Sequence, residues 1–196
     1  MKTRILCLGD SLTYGFGVSR QKIWTTLLQA HSGLECINAA CNGNTTGGML
    51  ACFCHQTQKH RPHAVFLMGG VNDILLAGSD AQARSNMGAL VHLCYQQQLL
   101  PVVGIMPPPL RSLREEWLQL STLNIASFQA AVADYAQWLR LFCQNLHVPF
   151  VDFEAGLAAQ GGQAAAYYCD GLHMNESGHQ MMAATFWQQW PPSLQA

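Results

Sequence analysis

The chain has 196 residues, of which 49% are hydrophobic, a length that suits one sizeable core and is short for two. Charged residues make up 11%, against about 25% in an average globular protein, and the formal net charge is −1. This balance excludes the electrostatic footprint of a nucleic-acid partner, and no segment reaches the roughly 18 apolar residues of a membrane span. We therefore expect a single globular domain over residues 1–196.

Cysteine usage indicates a reducing compartment. The eight cysteines lie mostly inside apolar runs and form no Cys-x-x-Cys pair, and the N-terminus leaves no room for an apolar leader before the first predicted strand. We therefore expect reduced thiols and a cytoplasmic protein. Neither the Cys52–His55 cluster nor the histidines at His55, His60 and His63 is expected to bind a metal. These histidines are interpreted as part of a solvated polar loop before the third strand.

Five short apolar runs predict the strands of one sheet. Four of them are nearly continuous in hydrophobicity, which is typical of parallel strands buried on both faces. Longer segments with helical spacing separate them, and this alternation predicts βαβ units with right-handed crossovers. The expected fold is a three-layer α/β sandwich with a five-stranded parallel sheet. The predicted strands are Arg4–Gly9, Leu34–Asn38, Ala64–Gly69, Pro101–Met106 and Val148–Phe153.

Three of the intervening helices have clear boundaries. Apolar spacing predicts helices over Ser79–Gln98 and Thr122–Asn145. Asn175 is a good N-cap for the last helix, which should end at Trp190 because two prolines follow it.

Glycines and polar residues follow the first three predicted strands. The segments are Gly9–Thr13 with Ser11, the loop that contains Gly43, and Gly69–Asp73 with Asn72. The carboxyl ends of parallel strands meet at one rim, where α/β proteins build their sites. Ser11 alone is more often a turn serine that caps the next helix than a nucleophile. A serine nucleophile also needs a base and a carboxylate, and the tail segment Asp170–His173 contains both.

These segments resemble the four motif blocks of the SGNH, or GDSL, hydrolases. The blocks occur in the family's order and span residues 9 to 173: Gly9-Asp10-Ser11-Leu12, Gly43, Gly70-Val71-Asn72-Asp73 and Asp170-Gly171-Leu172-His173. The resemblance implies a flavodoxin-like sheet and hydrolysis of esters or thioesters without a cofactor. It also implies that Ser11 is the nucleophile, His173 the base and Asp170 the residue that orients the imidazole. The oxyanion hole would comprise the N–H groups of Ser11 and Gly43 and the Asn72 amide. Met174 departs from the family pattern, since many members have a proline there.

Other titratable residues compete for a role near this site. Asp152, close to the end of the fifth strand, is the alternative to Asp170 for orienting the histidine. Asp10 and Asp73 are predicted to be turn and cap carboxylates. His179 is predicted to pack or to cap a helix rather than act as a second base.

The long connection after the fourth strand is the candidate for substrate contact. Leu110, Leu113, Trp117 and Leu120 recur at three- and four-residue spacing, which predicts one apolar face. This face either covers the edge of the sheet or lines an acyl pocket. Long loops at the carboxyl end of a strand are more often functional, so we expect Trp117 to contact substrate.

Two functions compete. The preferred one is a serine hydrolase that cleaves small-molecule esters, with small or lipid-like acyl groups, through an acyl-enzyme. The alternative is a non-catalytic flavodoxin-like module in which Ser11–Gly15 cradles a phosphorylated ligand. The chain has neither a Walker lysine nor Gly-x-Gly-x-x-Gly, and the alternative leaves Asn72 and the Asp170–His173 pair unused.

Overall fold

The computed structural model describes residues 2–190, and its five strands form one sheet. The strands are β1 (Arg4–Gly9), β2 (Glu35–Asn38), β3 (Ala64–Met68), β4 (Leu100–Ile105) and β5 (Phe150–Asp152). Neighbouring strands are all parallel, in the order β2-β1-β3-β4-β5. This is the flavodoxin-like order, in which the chain reverses its direction of growth next to β1. The predicted strands are confirmed, each end lying within two residues of its expected position.

Eight α-helices in the described part of the chain cover the two faces of this sheet. They are α1 (Ser11–Tyr14), α2 (Trp24–Ser32), α3 (Thr46–His60), α4 (Val71–Ala77), α5 (Ala81–Gln96), α6 (Ile125–Asn145), α7 (Phe153–Ala158) and α8 (Glu176–Gln189). Helices α2, α7 and α8 pack together, and α3, α4, α5 and α6 form a second group. The three-layer α/β architecture is therefore confirmed.

Capping side chains set where two predicted helices begin. Helix α6 starts three residues later than predicted, because the Asn124 side chain accepts a hydrogen bond from the N–H of Ser127. Asn175 caps α8 as predicted, accepting from the N–H of Gly178 at 3.0 Å. The two prolines expected to end α8 lie outside the described residues, as do both ends of the domain predicted over residues 1–196.

A cluster of buried aromatic rings joins one helical layer to the sheet. Trp24, Phe66, Phe153 and Phe186 are all fully buried, and their ring centroids lie 5.2 to 6.1 Å apart. Burying one such side chain stabilises the fold by about 1.5–3 kcal/mol. The cluster therefore holds α2, α7 and α8 firmly against β3.

Gly104 in β4 occupies a position with no room for a side chain. A Cβ built there would overlap the ring of Phe66 and lie 2.8 Å from the Cβ of Met68. Because overpacking costs about 1–3 kcal/mol, we expect Gly104→Ala to lower the free energy of unfolding in urea by that amount. Gly88→Ala in α5 is the matched control, since its Cβ would meet only Phe142 at 4.0 Å and should raise stability by about 0.4–1 kcal/mol. Equal effects in the two variants would contradict the packing argument.

Candidate active site

The predicted site residues meet at the carboxyl rim of the sheet. Ser11 begins α1 directly after β1, and Asn72 lies in the first turn of α4, after the neighbouring strand β3. Ser11, Gly43, Asn72, Trp117 and His173 all line one cavity of about 320 Å³. The topology thus brings together segments that are far apart in the sequence.

Ser11, His173 and Asp170 form a continuous chain of hydrogen bonds. Ser11 Oγ lies 2.9 Å from His173 Nε2, and His173 Nδ1 lies 2.7 Å from Asp170 Oδ2. The His173 and Asp170 side chains are only 5% and 6% exposed, so these bonds are shielded from water. With its Nδ1–H donating to the carboxylate, the imidazole presents Nε2 as an acceptor for the serine proton.

A tight turn sets the geometry of Asp170. Its Oδ1 accepts hydrogen bonds from the backbone N–H groups of Leu172 (2.9 Å) and His173 (2.7 Å). Gly171 has a φ of +84°, and a Cβ there would lie 2.7 Å from the backbone of Leu113, so the turn requires glycine. Burial acts to raise the pKa of Asp170, but hydrogen bonds from His173 and Leu172 outweigh it and hold that pKa below its usual range. The carboxylate is therefore charged at neutral pH.

The loop around Asp170 is held in place without the family's proline. Tyr168 and Met174 form an antiparallel bridge, and the N–H of Cys169 donates to the carbonyl of His173 at 2.9 Å. The Met174 side chain is buried. Backbone pairing therefore provides the rigidity that a proline would otherwise supply.

A hydrogen bond orients the Asn72 amide beside Ser11. Asn72 Nδ2 donates to the carbonyl of Asn44 at 2.9 Å, and Asn44 directly follows Gly43. A side-chain amide has two N–H donors, so this bond fixes the group and leaves one donor for a ligand. The amide is thus preorganised in the wall of the cavity.

The alternative carboxylate, Asp152, is engaged elsewhere. It forms a two-pronged ion pair with Arg140, with N···O distances of 2.7 and 3.1 Å, and caps α7 by accepting from the N–H of Ala155. The structure therefore brings Asp170, and not Asp152, to the histidine.

Three further titratable residues have structural partners, as the sequence predicts. Asp10 is the N-cap of α1, and burial raises its pKa to about 7. Asp73 accepts from the N–H (2.9 Å) and the hydroxyl (2.5 Å) of Thr46 at the start of α3. His179 Nδ1 accepts from the N–H of Trp24 at 3.3 Å, and burial lowers the pKa of this histidine to about 4. His179 is therefore a neutral helix cap.

The histidines before β3 do not all lie in a loop. His55 and His60 are part of α3, so the predicted loop is wrong for them, whereas His63 accepts from the N–H of Arg4 at 2.9 Å. Across residues 2–190, no group of three or more His, Cys, Asp or Glu side chains is arranged to hold a metal. All eight cysteines are free thiols. Within the same range, no helix is long and apolar enough to cross a membrane.

The connection after β4 does not present the predicted single apolar face. Its ordered element is a 3-10 turn over Glu115–Leu118, so its apolar residues do not follow a helical period. Leu113 is buried and its backbone lies against Gly171, whereas Leu120 is 77% exposed at the cavity. Trp117 lines the cavity, with its ring centroid 4.9 Å from that of His173.

Sequence reasoning missed several apolar residues of the cavity. Leu75 follows Asn72 by three residues on α4, a spacing that places both side chains on one face of the helix. This spacing in the sequence could have indicated that Leu75 lies beside Asn72 in the site. Phe16 packs its ring 4.5 Å from the His173 ring, yet it lies in an irregular turn that gives no pattern. Leu172 also lines the cavity.

Comparison with known proteins agrees with the fold and the motifs. The chain is 30% identical over 95 residues to an arylesterase from Vibrio mimicus, a match that covers 46% of this chain and 48% of the relative. It is 28% identical over 111 residues to the esterase TesA of Pseudomonas aeruginosa, covering 54% of this chain and 55% of that protein. Each match thus spans about half of the curated relative's length.

Solved structures add evidence on the fold. A member of the lipolytic protein G-D-S-L family from Veillonella parvula superposes with a TM-score of 0.79 at 20% identity, covering 96% of this chain and 98% of that one.

Residues 7–181 match the model of the GDSL-like lipase/acylhydrolase family, as the four motif blocks predict. The chain therefore belongs to the GDSL-like lipase/acylhydrolase family.

Proposed function

We propose that the protein hydrolyses carboxylic esters or thioesters through an acyl-enzyme formed on Ser11. The observation on which this proposal depends is the hydrogen-bonded chain from Ser11 Oγ through His173 to Asp170, with heavy-atom distances of 2.9 and 2.7 Å. Family membership and the esterase relatives support the same reaction class.

The geometry accounts for both halves of such a reaction. Ser11 Oγ attacks the carbonyl carbon while His173 Nε2 takes its proton, and Asp170 stabilises the imidazolium. The bond to the leaving alcohol or thiol then breaks, and the imidazolium returns the proton to that group. In the second half a water molecule attacks the acyl carbon and His173 takes its proton. The bond to Ser11 Oγ then breaks, the imidazolium returns the proton to that oxygen, and the free acid leaves.

The carbonyl oxygen becomes negatively charged in each tetrahedral intermediate. The proposed donors for it are the backbone N–H groups of Ser11 and Gly43 and the free N–H of the Asn72 amide. All three residues line the same cavity. Such donors act on charge that develops only in the transition state, and losing one raises the barrier by about 2.7–4 kcal/mol.

Cavity size and lining support a short or medium acyl group. The volume of about 320 Å³ is near the lower end of the roughly 300–1,000 Å³ seen for ligand pockets. Its apolar wall comprises Phe16, Leu75, Trp117, Leu120 and Leu172. The proposed partner is thus a small-molecule ester, with a compact acyl chain against this wall.

Turnover of para-nitrophenyl acetate tests the proposal. We expect steady-state hydrolysis that a serine-directed organophosphonate abolishes, because the phosphonate occupies the nucleophile. Failure to turn over acetate, butyrate and hexanoate esters or thioesters would contradict the hydrolase and favour the alternative module that binds a phosphorylated ligand.

Replacing Trp117 tests the assignment of the acyl wall. We expect Trp117→Ala to lower the preference for hexanoyl over acetyl esters, measured as the ratio of kcat/KM values, by about tenfold. The physical reason is the loss of apolar contact with the longer chain. Trp187→Ala is the matched control, since Trp187 is 36% exposed and lines a separate groove between α2 and α8.

An unchanged chain-length profile in Trp117→Ala would assign the connection after β4 to structure alone. A strong wild-type preference for acyl chains of about sixteen carbons would contradict the inference from cavity size.

A further inference from the structure

The connection between β4 and α6 is bonded directly to the loop that contains Asp170 and His173. Three hydrogen bonds run from this connection to Asp170 and Gly171, and two of them reach Asp170 itself. They run from Leu110 N to the Gly171 carbonyl (2.8 Å), from Arg114 N to the Asp170 carbonyl (3.2 Å) and from Trp117 Nε1 to Asp170 Oδ2 (3.1 Å). The segment that lines the acyl cavity therefore also supports the residues beside the nucleophile.

The bond from Trp117 reaches a particular oxygen of Asp170. Oδ2 is the atom that also accepts from His173 Nδ1, whereas Oδ1 is occupied by two backbone N–H groups. An indole N–H can only donate, and its partner here is a charged carboxylate that is 6% exposed. Hydrogen bonds to charged groups shielded from water are among the stronger ones in proteins.

The Trp117 ring has a second set of contacts. It meets the His173 ring at a centroid distance of 4.9 Å and the Phe16 ring at 5.7 Å, both edge to face. Phe16 in turn packs 4.5 Å from His173. The aromatic ring and the N–H of Trp117 thus act on different partners, and a substitution can separate them.

We infer that Trp117 is a positioning residue for the proposed catalytic residues, because its indole N–H holds Oδ2 of Asp170 in line with the imidazole of His173. This inference depends on the proposed hydrolase function for its kinetic consequences. The ring of Trp117 lines the proposed acyl cavity and packs against His173, whereas its N–H bonds the carboxylate that orients His173. The acyl cavity and the orientation of the base therefore share one side chain.

Trp117→Phe removes the N–H and keeps an aromatic ring. We expect kcat for para-nitrophenyl acetate to fall about tenfold with KM unchanged, because the lost bond is one to a charged group and the acetyl group makes little use of the ring. Trp187→Phe is the matched control and should leave kcat unchanged.

The acid limb of the pH profile of kcat/KM distinguishes a positioning role of Trp117 from a purely structural one. Hydrogen bonds that favour the charged carboxylate lower the pKa of Asp170, so removing one raises it. A protonated Asp170 can no longer stabilise the imidazolium, so the site is inactivated at higher pH. The acid limb of kcat/KM in Trp117→Phe should therefore move upward in pH. Among residues 2–190, the charged and titratable groups placed beside Asp170 are Tyr168, Cys169 and His173 on its own loop and Arg114 on the facing connection, and the substitution alters none of them.

The Nδ1–H proton resonance of His173, followed by NMR, tests the inference without turnover. We expect it to shift in Trp117→Phe and not in Trp187→Phe. An unchanged resonance and an unmoved acid limb would overturn the positioning role, as would a loss confined to KM. Absence of turnover in the wild type would refute the proposed function, while the resonance would still decide the inference. If Trp117→Phe does not fold, Trp117→Leu, which also lacks the N–H, is used in both measurements.

Discussion

Replacing Ser11 with alanine is expected to abolish ester hydrolysis, lowering kcat by a factor on the order of 10⁴–10⁶. The hydroxyl is the proposed nucleophile. Among the hydrogen bonds of residues 2–190, the partner of His173 Nε2 is Ser11 Oγ, at 2.9 Å. Ser11 is only half-buried, so the variant should unfold in urea at the wild-type midpoint. His173→Ala and the double variant should lose nearly the same factor, because residues that act as a unit do not contribute additively.

Ser85→Ala is the matched control for this substitution, since Ser85 is exposed on α5. It should keep full activity. Residual activity above a few per cent of wild type in folded Ser11→Ala would show that another residue is the nucleophile.

Asn72→Ala should lower kcat by about 10²–10³ with little change in KM. The structure gives the reason: the Asn72 amide is fixed by its bond to the Asn44 carbonyl, so its free N–H is preorganised for the charge that develops on the carbonyl oxygen. Ground-state substrate has little such charge, and binding should be nearly unaffected. Separate determination of kcat and KM with para-nitrophenyl acetate measures the effect.

Asn145→Ala, at the exposed end of α6, is the control for loss of an asparagine side chain. It should leave both constants at wild-type values. A loss in Asn72→Ala that falls entirely in KM would mean that Asn72 binds ground-state substrate, and the oxyanion role would be wrong.

The sheet was predictable because its strands are buried on both faces. Every residue of β3 is buried, and such strands appear in the sequence as continuous apolar runs between polar turns. Right-handed crossovers reduce the possible orders of alternating strands and helices to a few, and the resemblance to the GDSL hydrolases implied the flavodoxin-like one. The short flanking helices were harder to predict, because α1 and α7 span only 4 and 6 residues and show no clear period.

The segments that hold the proposed catalytic residues were predictable because each follows a strand or lies in a compact turn of characteristic composition, and the resemblance to the GDSL hydrolases implied the role of each residue. The spacing of Asp170 and His173 lets one carboxylate bond both the backbone and the imidazole within a single turn. The bond from Trp117 to Asp170 was not predictable. It joins residues 53 positions apart through an irregular connection, and neither hydrophobic period nor motif encodes such packing.

Locating the residue that reacts with an organophosphonate is the most direct test of the central claim, that Ser11 is the nucleophile of an acyl transfer. The protein is inactivated with the reagent and digested, and its peptides are mapped by mass spectrometry in parallel with the His173→Ala variant. We expect one phosphonate per chain, attached to Ser11, with labelling that rises in step with the loss of para-nitrophenyl acetate hydrolysis and is much slower in His173→Ala. Complete inactivation with the label on any other residue, or full labelling of Ser11 with activity retained, would contradict the account.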